Sequence, residues 1–347
     1  MNASQQIADD LIRHGVYLER YTKGQLAEIL GILEKANSDI LAKLAATVDA
    51  SAQAAQGALL DEVRAVYKAA VAEMQARMTT EGKALADHEA AVAASAIEGV
   101  GIKTAMVTPE MLWSMIQEMP ATKGAVLSEL YSAYEAGTAQ KIVQAIRQGF
   151  VEGEGVGDMV RRIRGSRASG YTDGVMQATR RGAESLVRTT VNHIANQAHE
   201  AVYQANADLI SGEAWLATLD PDTCEECGAL DGQEWPLDEG HDTPPAHVNC
   251  RCTIVPVLKS WEDMGLDGLS DEAKTALDGE PPERTTYADW LGRQDAAVQD
   301  DILGPNRGDL LRSGMPLDDM VKDSGGLYTL DELRAMTPGA SGQGAAA

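Results

Sequence analysis

The chain has 347 residues, 44% of them hydrophobic, with aromatics at only 4% and a formal net charge of −24. That length and apolar content exclude global disorder and allow two or three domains burying about three quarters of the unfolded surface. No run of eighteen apolar residues occurs, which excludes a membrane-spanning helix, and the acidic balance excludes nonspecific duplex binding by the whole surface.

Residues Met1 to Asp10 lack a basic region and an apolar core, so the chain is expected to stay in the cytoplasm. Ile7, Leu11, His14, Leu18 and Tyr21 then alternate at helical spacing, and the seam continues through Leu26, Leu30, Leu33, Asn37, Ile40 and Leu44. A histidine inside such a seam is more often simply hydrogen-bonded than functional. A second long helix is predicted from about Leu59 to Ile97, with Leu60, Val63, Tyr67, Met74 and Met78 on one side. Its alanine-rich flanks suit an antiparallel partner at close range. Gly99-Val100-Gly101 ends it. Thr108-Pro109-Glu110 starts the next, with a threonine cap and proline at the first helical position, and Met111, Leu112, Met115 and Ile116 form its apolar face.

Helical spacing returns from Leu127 to Ile146 and stops in a run holding Gly149, Gly153, Gly155 and Gly157. No phosphate-loop pattern is present, so this run reads as a flexible joint. Beyond it lies a basic island of Arg161, Arg162, Arg164, Arg167, Arg180, Arg181 and Arg188, with only Asp173 and Glu184 among them. It either contacts phosphate or an acidic partner, or is a solvated face offset by carboxylates elsewhere in the fold. A helix from about Glu184 to Ile210 leads to a predicted small antiparallel sheet built from Trp215–Leu219, Gln233–Trp235 and Thr253–Val257.

Between those strands sit all four cysteines. The pattern is C-x2-C at Cys224 and Cys227, a D-G turn at Asp231-Gly232, then H-x2-C-x-C at His247, Cys250 and Cys252. A C-x2-C knuckle lets two thiolates converge on one cation, Gly228 relieves the backbone after it, and a second knuckle about twenty residues on completes a tetrahedral site. Structural Zn2+ is the favoured reading. Two disulfides in an oxidising compartment, a redox role and no role remain as alternatives. Five donors compete for four positions; His247 and Cys250 are preferred beside Cys224 and Cys227, with Cys252 turned toward the strand. The deaminase and zincin patterns fail here, since His199-Glu200 is followed by Ala201-Val202-Tyr203 and no second histidine. The expected metal is therefore a staple, without catalytic or cofactor-binding residues.

The ordered set Trp215, Asp220, Thr223, Cys224, Cys227, Asp231, Gly232, Pro244, Pro245, His247, Asn249, Cys250, Arg251 and Cys252 resembles the signature of the Mu F-like phage head morphogenesis proteins. The helix from Glu184 through Arg188-Thr189 to Asn192 and Ala195 is similar to the family's lead-in, and weaker likeness extends to the opening helix and Tyr287–Gly314. The resemblance implies a non-enzymatic minor head protein that works with portal and capsid proteins in head assembly and DNA packaging or delivery. Its place would be the virion, after assembly in the host cytoplasm. A zinc-containing DNA-binding module and a metal-dependent enzyme are the rival classes.

The expected fold is α+β and predominantly α. A helical docking domain spans 1–150, and 158–258 holds the lead-in and metal module. A small helical unit occupies 259–336, with polar loop and a short helix up to Glu283, and 337–347 forms a disordered tail. The stripe of Ile7, Leu11, Leu18 and Tyr21 is expected to stay exposed for the portal; the alternative is that it packs on the next helix of the same chain.

Overall fold

The computed structural model describes residues 3–46, 53–122, 124–241, 243–265, 285–322 and 327–336. The polar stretch 266–284 and the tail 337–347 lie outside the described residues. The class is α+β and predominantly α, with one small antiparallel sheet.

Two long helices, α1 (Ala3–Ala46) and α2 (Gln53–Glu98), form an antiparallel hairpin. The pairs His14–Glu89, Tyr21–Glu81, Asn37–Tyr67 and Lys43–Glu62 fix its register. Ile7, Leu11, Ile29, Leu33, Ile40 and Leu44 of α1 are buried, and Leu18 and Tyr21 pack half-buried against the same core. The seam is thus covered within the chain and is not a free stripe. Helix α2 lies against α1, α3 (Pro109–Glu118), α4 (Leu127–Glu152) and α6 (Val175–Ala205). Burial on several sides is why its apolar pattern has no single face. Its small residues bring neighbours close: a Cβ on Gly82 would stand 2.8 Å from the Ile194 side chain. Thr108 caps α3 as expected, accepting from the Met111 amide, although Met111 itself is exposed while Leu112 and Ile116 are buried.

The glycine run is a corner, not a joint. Gly153 ends α4 in the left-handed region (φ 69°), where a side chain would be strained, and α5 (Val156–Arg164) starts three residues later. Gly149 packs so tightly on Met159 that a Cβ would lie 2.4 Å from its Cγ. Arg162 then ties α5 back to Glu152 and Glu154.

Helix α6 is the axis of the molecule. It touches α1, α2, α3, α4, α5 and β3, and is buried nearly all round from Ala183 to Tyr203. The sheet runs β2 (Glu234–Pro236), β1 (Ile210–Leu216), β3 (Thr253–Leu258), with both pairings antiparallel. A short helix, α7 (Glu225–Ala229), lies between β1 and β2. The C-terminal part comprises α8 (Tyr287–Gly292), α9 (Ala296–Leu303), α10 (Pro305–Arg312), a 3-10 turn at Asp318–Met320 and α11 (Leu330–Met336).

Two apolar clusters hold this together. One runs from Ile7 to Val255 and crosses the boundary expected at 150–158, since α1, α2, α4, α5, α6 and the sheet share it. The other joins Trp215, Cys227, Cys250 and Cys252 to Tyr287, Leu291, Leu303, Met320 and Leu333, crossing the boundary expected at 258. No described helix is long and apolar enough to cross a membrane.

Candidate metal centre

Cys224 is the N-cap of α7, and its sulfur accepts from the Cys227 amide at 3.4 Å, so the first knuckle is also a helix start. The amide dipoles there favour a thiolate. Gly228 lies inside α7, and its role differs from the expected relief of backbone strain. A Cβ at Gly228 would stand 2.2 Å from the Tyr287 ring, so glycine is needed for the C-terminal unit to dock on the knuckle. Tyr287 completes that dock by donating its hydroxyl to the Thr223 carbonyl at 2.9 Å and its amide to Asp231 at 2.8 Å.

The second knuckle is shaped by α6. Asn192 donates to the Cys250 carbonyl at 2.8 Å; Asn196 donates to the Cys252 carbonyl at 3.2 Å and accepts from the Ile254 amide at 3.0 Å. Asn249 takes a left-handed φ of 66°, which asparagine tolerates, and its amide donates to Thr189 at 3.1 Å. Arg251 forms two parallel bonds to Asp220, both 2.6 Å, closing the loop between β1 and α7 onto the knuckle. Asp231 accepts from the Ala217 amide at 2.8 Å, and Gly232 turns the chain with φ 85°. Pro244-Pro245, just before His247, is a cis bond.

These supports bring all five expected donors together. His247 Nε2 lies 3.0 Å from Cys224 Sγ and 3.1 Å from Cys227 Sγ, and Cys227 Sγ lies 3.8 Å from Cys250 Sγ. The donors form two triads, Cys224–Cys227–His247 and Cys227–Cys250–Cys252, each within 4.8 Å, that meet at Cys227. Cys252 is buried and its sulfur stays in the cluster; it does not turn away toward the strand. All four cysteines are free thiols, so the disulfide alternative is not what this geometry holds.

The donor set fits a soft tetrahedral ion. Metal–sulfur bonds of about 2.3 Å give a sulfur–sulfur edge of about 3.8 Å, the separation of Cys227 and Cys250. The Nε2 contacts are shorter than the mixed edge of about 3.5 Å, so the ring would retreat slightly around an ion. His247 Nδ1 faces the Val248 carbonyl at 2.9 Å, which fixes the tautomer and leaves Nε2 as the ligand atom. The residues surround a gap of about 10 Å³, room for a single small species. The electrostatics agree. The Cys227 thiol holds Cys224 down at about 4 and Cys250 at about 3, and is itself pushed up. Its hydrogen bond to Cys224 pushes His247 up to about 9. An ion entering here replaces protons on Cys227 and His247.

With that geometry in view, residues 140–255 match the family model described as Phage Mu protein F like protein. The matched segment, about a third of the chain, is similar to the Mu F-like proteins. It takes in the end of α4, α5, α6, the sheet and every donor of the cluster. A curated relative, the NAD(+)–arginine ADP-ribosyltransferase EFV of Enterococcus faecalis, is 24% identical over 209 residues, covering 56% of this chain and 39% of that protein. The chain thus spans about two fifths of that relative's length. No solved structure matches.

The matched segment also carries the basic island, and most of its arginines are already engaged. Arg161 pairs with Asp158, Arg162 with Glu152 and Glu154, Arg180 with Glu34 and Glu184, and Arg188 with Glu19. Arg164 stacks on Tyr171 at 5.2 Å. Exposed Arg167 and Arg181 have no carboxylate partner among the described residues. Sequence reasoning missed Asn196 and Glu89. The first is marked only by its i+4 spacing from Asn192 on a helix leading to the knuckles. The second carries no local signal, because its partners come from other helices.

Proposed function

We propose that the chain is a structural, non-enzymatic minor head protein of a tailed phage, carried in the virion and acting with the portal in head assembly and DNA packaging or delivery. The carrying observation is that the matched segment is knitted into one interior with the N-terminal helices, while its Cys/His cluster is packed between the sheet and the C-terminal helices. A site enclosed on both sides by structural elements suits a staple. In this reading Cys224, Cys227, His247 and Cys250 hold Zn2+, with Cys252 as the neighbouring thiol. When bound, the ion cross-links the two knuckles and neutralises their thiolates. Asn192, Asn196 and Arg251 hold the backbone around it, and Tyr287 packs against the first knuckle at Gly228.

The test is co-purification of the full chain with portal protein and its recovery from purified particles by mass spectrometry. Absence from particles that contain portal would overturn the reading. Zinc analysis of the purified protein tests the staple separately: about one ion per chain lost on replacing Cys227 is expected, and fully folded protein with no cysteine-dependent metal would refute it.

A further inference from the structure

Three of the chain's six histidines gather around one carboxylate far from the cysteine cluster. Glu89 of α2 has no solvent exposure, an unusual position for glutamate unless its charge is compensated. His14 Nε2 of α1 lies 2.8 and 2.9 Å from its two oxygens. His88, next along α2, is exposed and brings a ring nitrogen into the same group, with all three ligand atoms within 4.8 Å of one another. Tyr17 packs against both rings, at 5.1 Å from His14 and 4.9 Å from His88.

We propose that His14, His88 and Glu89 form a second metal site, for a divalent ion of the zinc, cobalt and nickel class. Two imidazoles, which are borderline donors, beside one carboxylate suit such ions better than magnesium or calcium, which take mainly oxygen ligands. A tetrahedral site with bonds of about 2.1 Å has an edge of about 3.4 Å, so the His14 ring would draw back from its 2.8 and 2.9 Å contacts with Glu89 to admit an ion between them.

Two further observations set this apart from a simple ion pair. His199 of α6, 3% exposed, approaches Glu89 Oε2 at 3.3 Å, yet neither of its ring nitrogens completes a hydrogen bond. It stands where a positioning residue behind a carboxylate ligand belongs. A cavity of about 660 Å³ opens beside the cluster, lined by His14, Glu89 and His199, and supplies an access path and space for the waters that complete coordination. The net charge of −24 further favours cations.

The experiment is equilibrium dialysis of the full-length protein against Co2+, with the bound metal counted and its optical spectrum recorded. Cobalt at the cysteines shows thiolate-to-metal charge transfer; cobalt at His14, His88 and Glu89 does not. A bound equivalent without the thiolate band is expected in the wild type, and it should raise the thermal midpoint. His88→Ala, at an exposed position, should fold normally and weaken that equivalent more than about tenfold while leaving any thiolate band intact. His14→Ala should act in the same direction. If all bound cobalt carries the thiolate signature, or if non-thiolate cobalt is unchanged in His88→Ala, the site does not exist. Because the two spectra differ, failure of the cysteine site and failure of this one are read separately.

Discussion

At the scale of single residues, the tightest constraint is the contact between Gly228 and the Tyr287 ring. A methyl group there overpacks the join between α7 and α8. Gly228→Ala should therefore cost about 1–3 kcal/mol in urea unfolding, and Tyr287→Leu in the same chain should recover part of it. At the cluster, Cys227 belongs to both triads. Cys227→Ser is thus expected to abolish the cysteine-bound ion and Cys250→Ser to weaken its binding strongly, whereas Cys252→Ser should retain it; loss of that ion in Cys252→Ser with retention in Cys250→Ser would reverse the ligand choice. The loop from Gly165 to Gly174 offers a pH test. Ser169, the Ser166 amide and the Ser166 hydroxyl hold the Asp173 carboxyl down at about 2 against an ordinary 3.8. A depressed folded value means the stabilisation is full above about 4 and is lost as pH falls from there toward 2. The protection factor of the Ser166 amide should fall across that window, and Asp173→Ala should keep it low at every pH.

Among the elements, α6 departs most from its local pattern. Thr189, Thr190, Asn192, His193, Asn196, Gln197 and His199 give it a polar composition, yet all are buried. Each side chain with a backbone partner brings another segment to the axis. His193 bonds the Ile116 carbonyl at 2.9 Å and is kept neutral by burial, while Asn192 and Asn196 hold the second knuckle. Asn196→Ala strands the Cys252 carbonyl and the Ile254 amide, and should cost on the order of 1–3 kcal/mol for each orphaned group, read by thermal unfolding. Helix α5 tests the basic island. Arg162 is occupied by Glu152 and Glu154, so Arg162→Gln is expected to alter stability and not DNA affinity. Replacing Arg164, Arg167 and Arg181 together with Gln should flatten the salt slope of any DNA binding by up to about three units.

For the whole molecule, the shared interior changes what a fragment experiment can report. α1 and α2 bury much of their apolar surface against α6, so residues 1–150 without it would expose that surface. A chain cut at 157 should yield fragments with poor cooperativity in calorimetry, and two sharp independent transitions would contradict the common core. Leu11→Asp, at a position only 3% exposed, tests folding before it tests docking and should unfold the hairpin. Exposed apolar groups on α1 do remain at Ile12, Val16 and Tyr17, one helical face away from the seam.

Much was legible in the linear pattern because its signals are local. Knuckle spacing, the Thr108 cap, three β-branched or aromatic runs and the heptad-like seam of α1 depend on neighbours a few residues away. They sufficed for the class, the Mu F-like likeness, the five cysteine and histidine donors and three antiparallel strands, although β1 runs Ile210–Leu216, earlier than the Trp215–Leu219 expected, because α6 already ends at Ala205. Other features were set by residues distant in the chain. Glycines at 149–157 read as a joint until Met159 filled the space beside Gly149. Gly228 read as backbone relief until Tyr287 arrived from 59 positions away. The arginines read as an island until Glu19, Glu34, Glu152 and Glu154 came to them. Burial of the polar residues on α6 carries no local signal, because composition reports hydrophobicity but not the backbone groups that a buried amide can satisfy. Sequence by itself determined the elements and the cluster's chemistry, since both are written at short range. Only the tertiary structure decided which surfaces are free, because burial and charge compensation are properties of what packs against a residue.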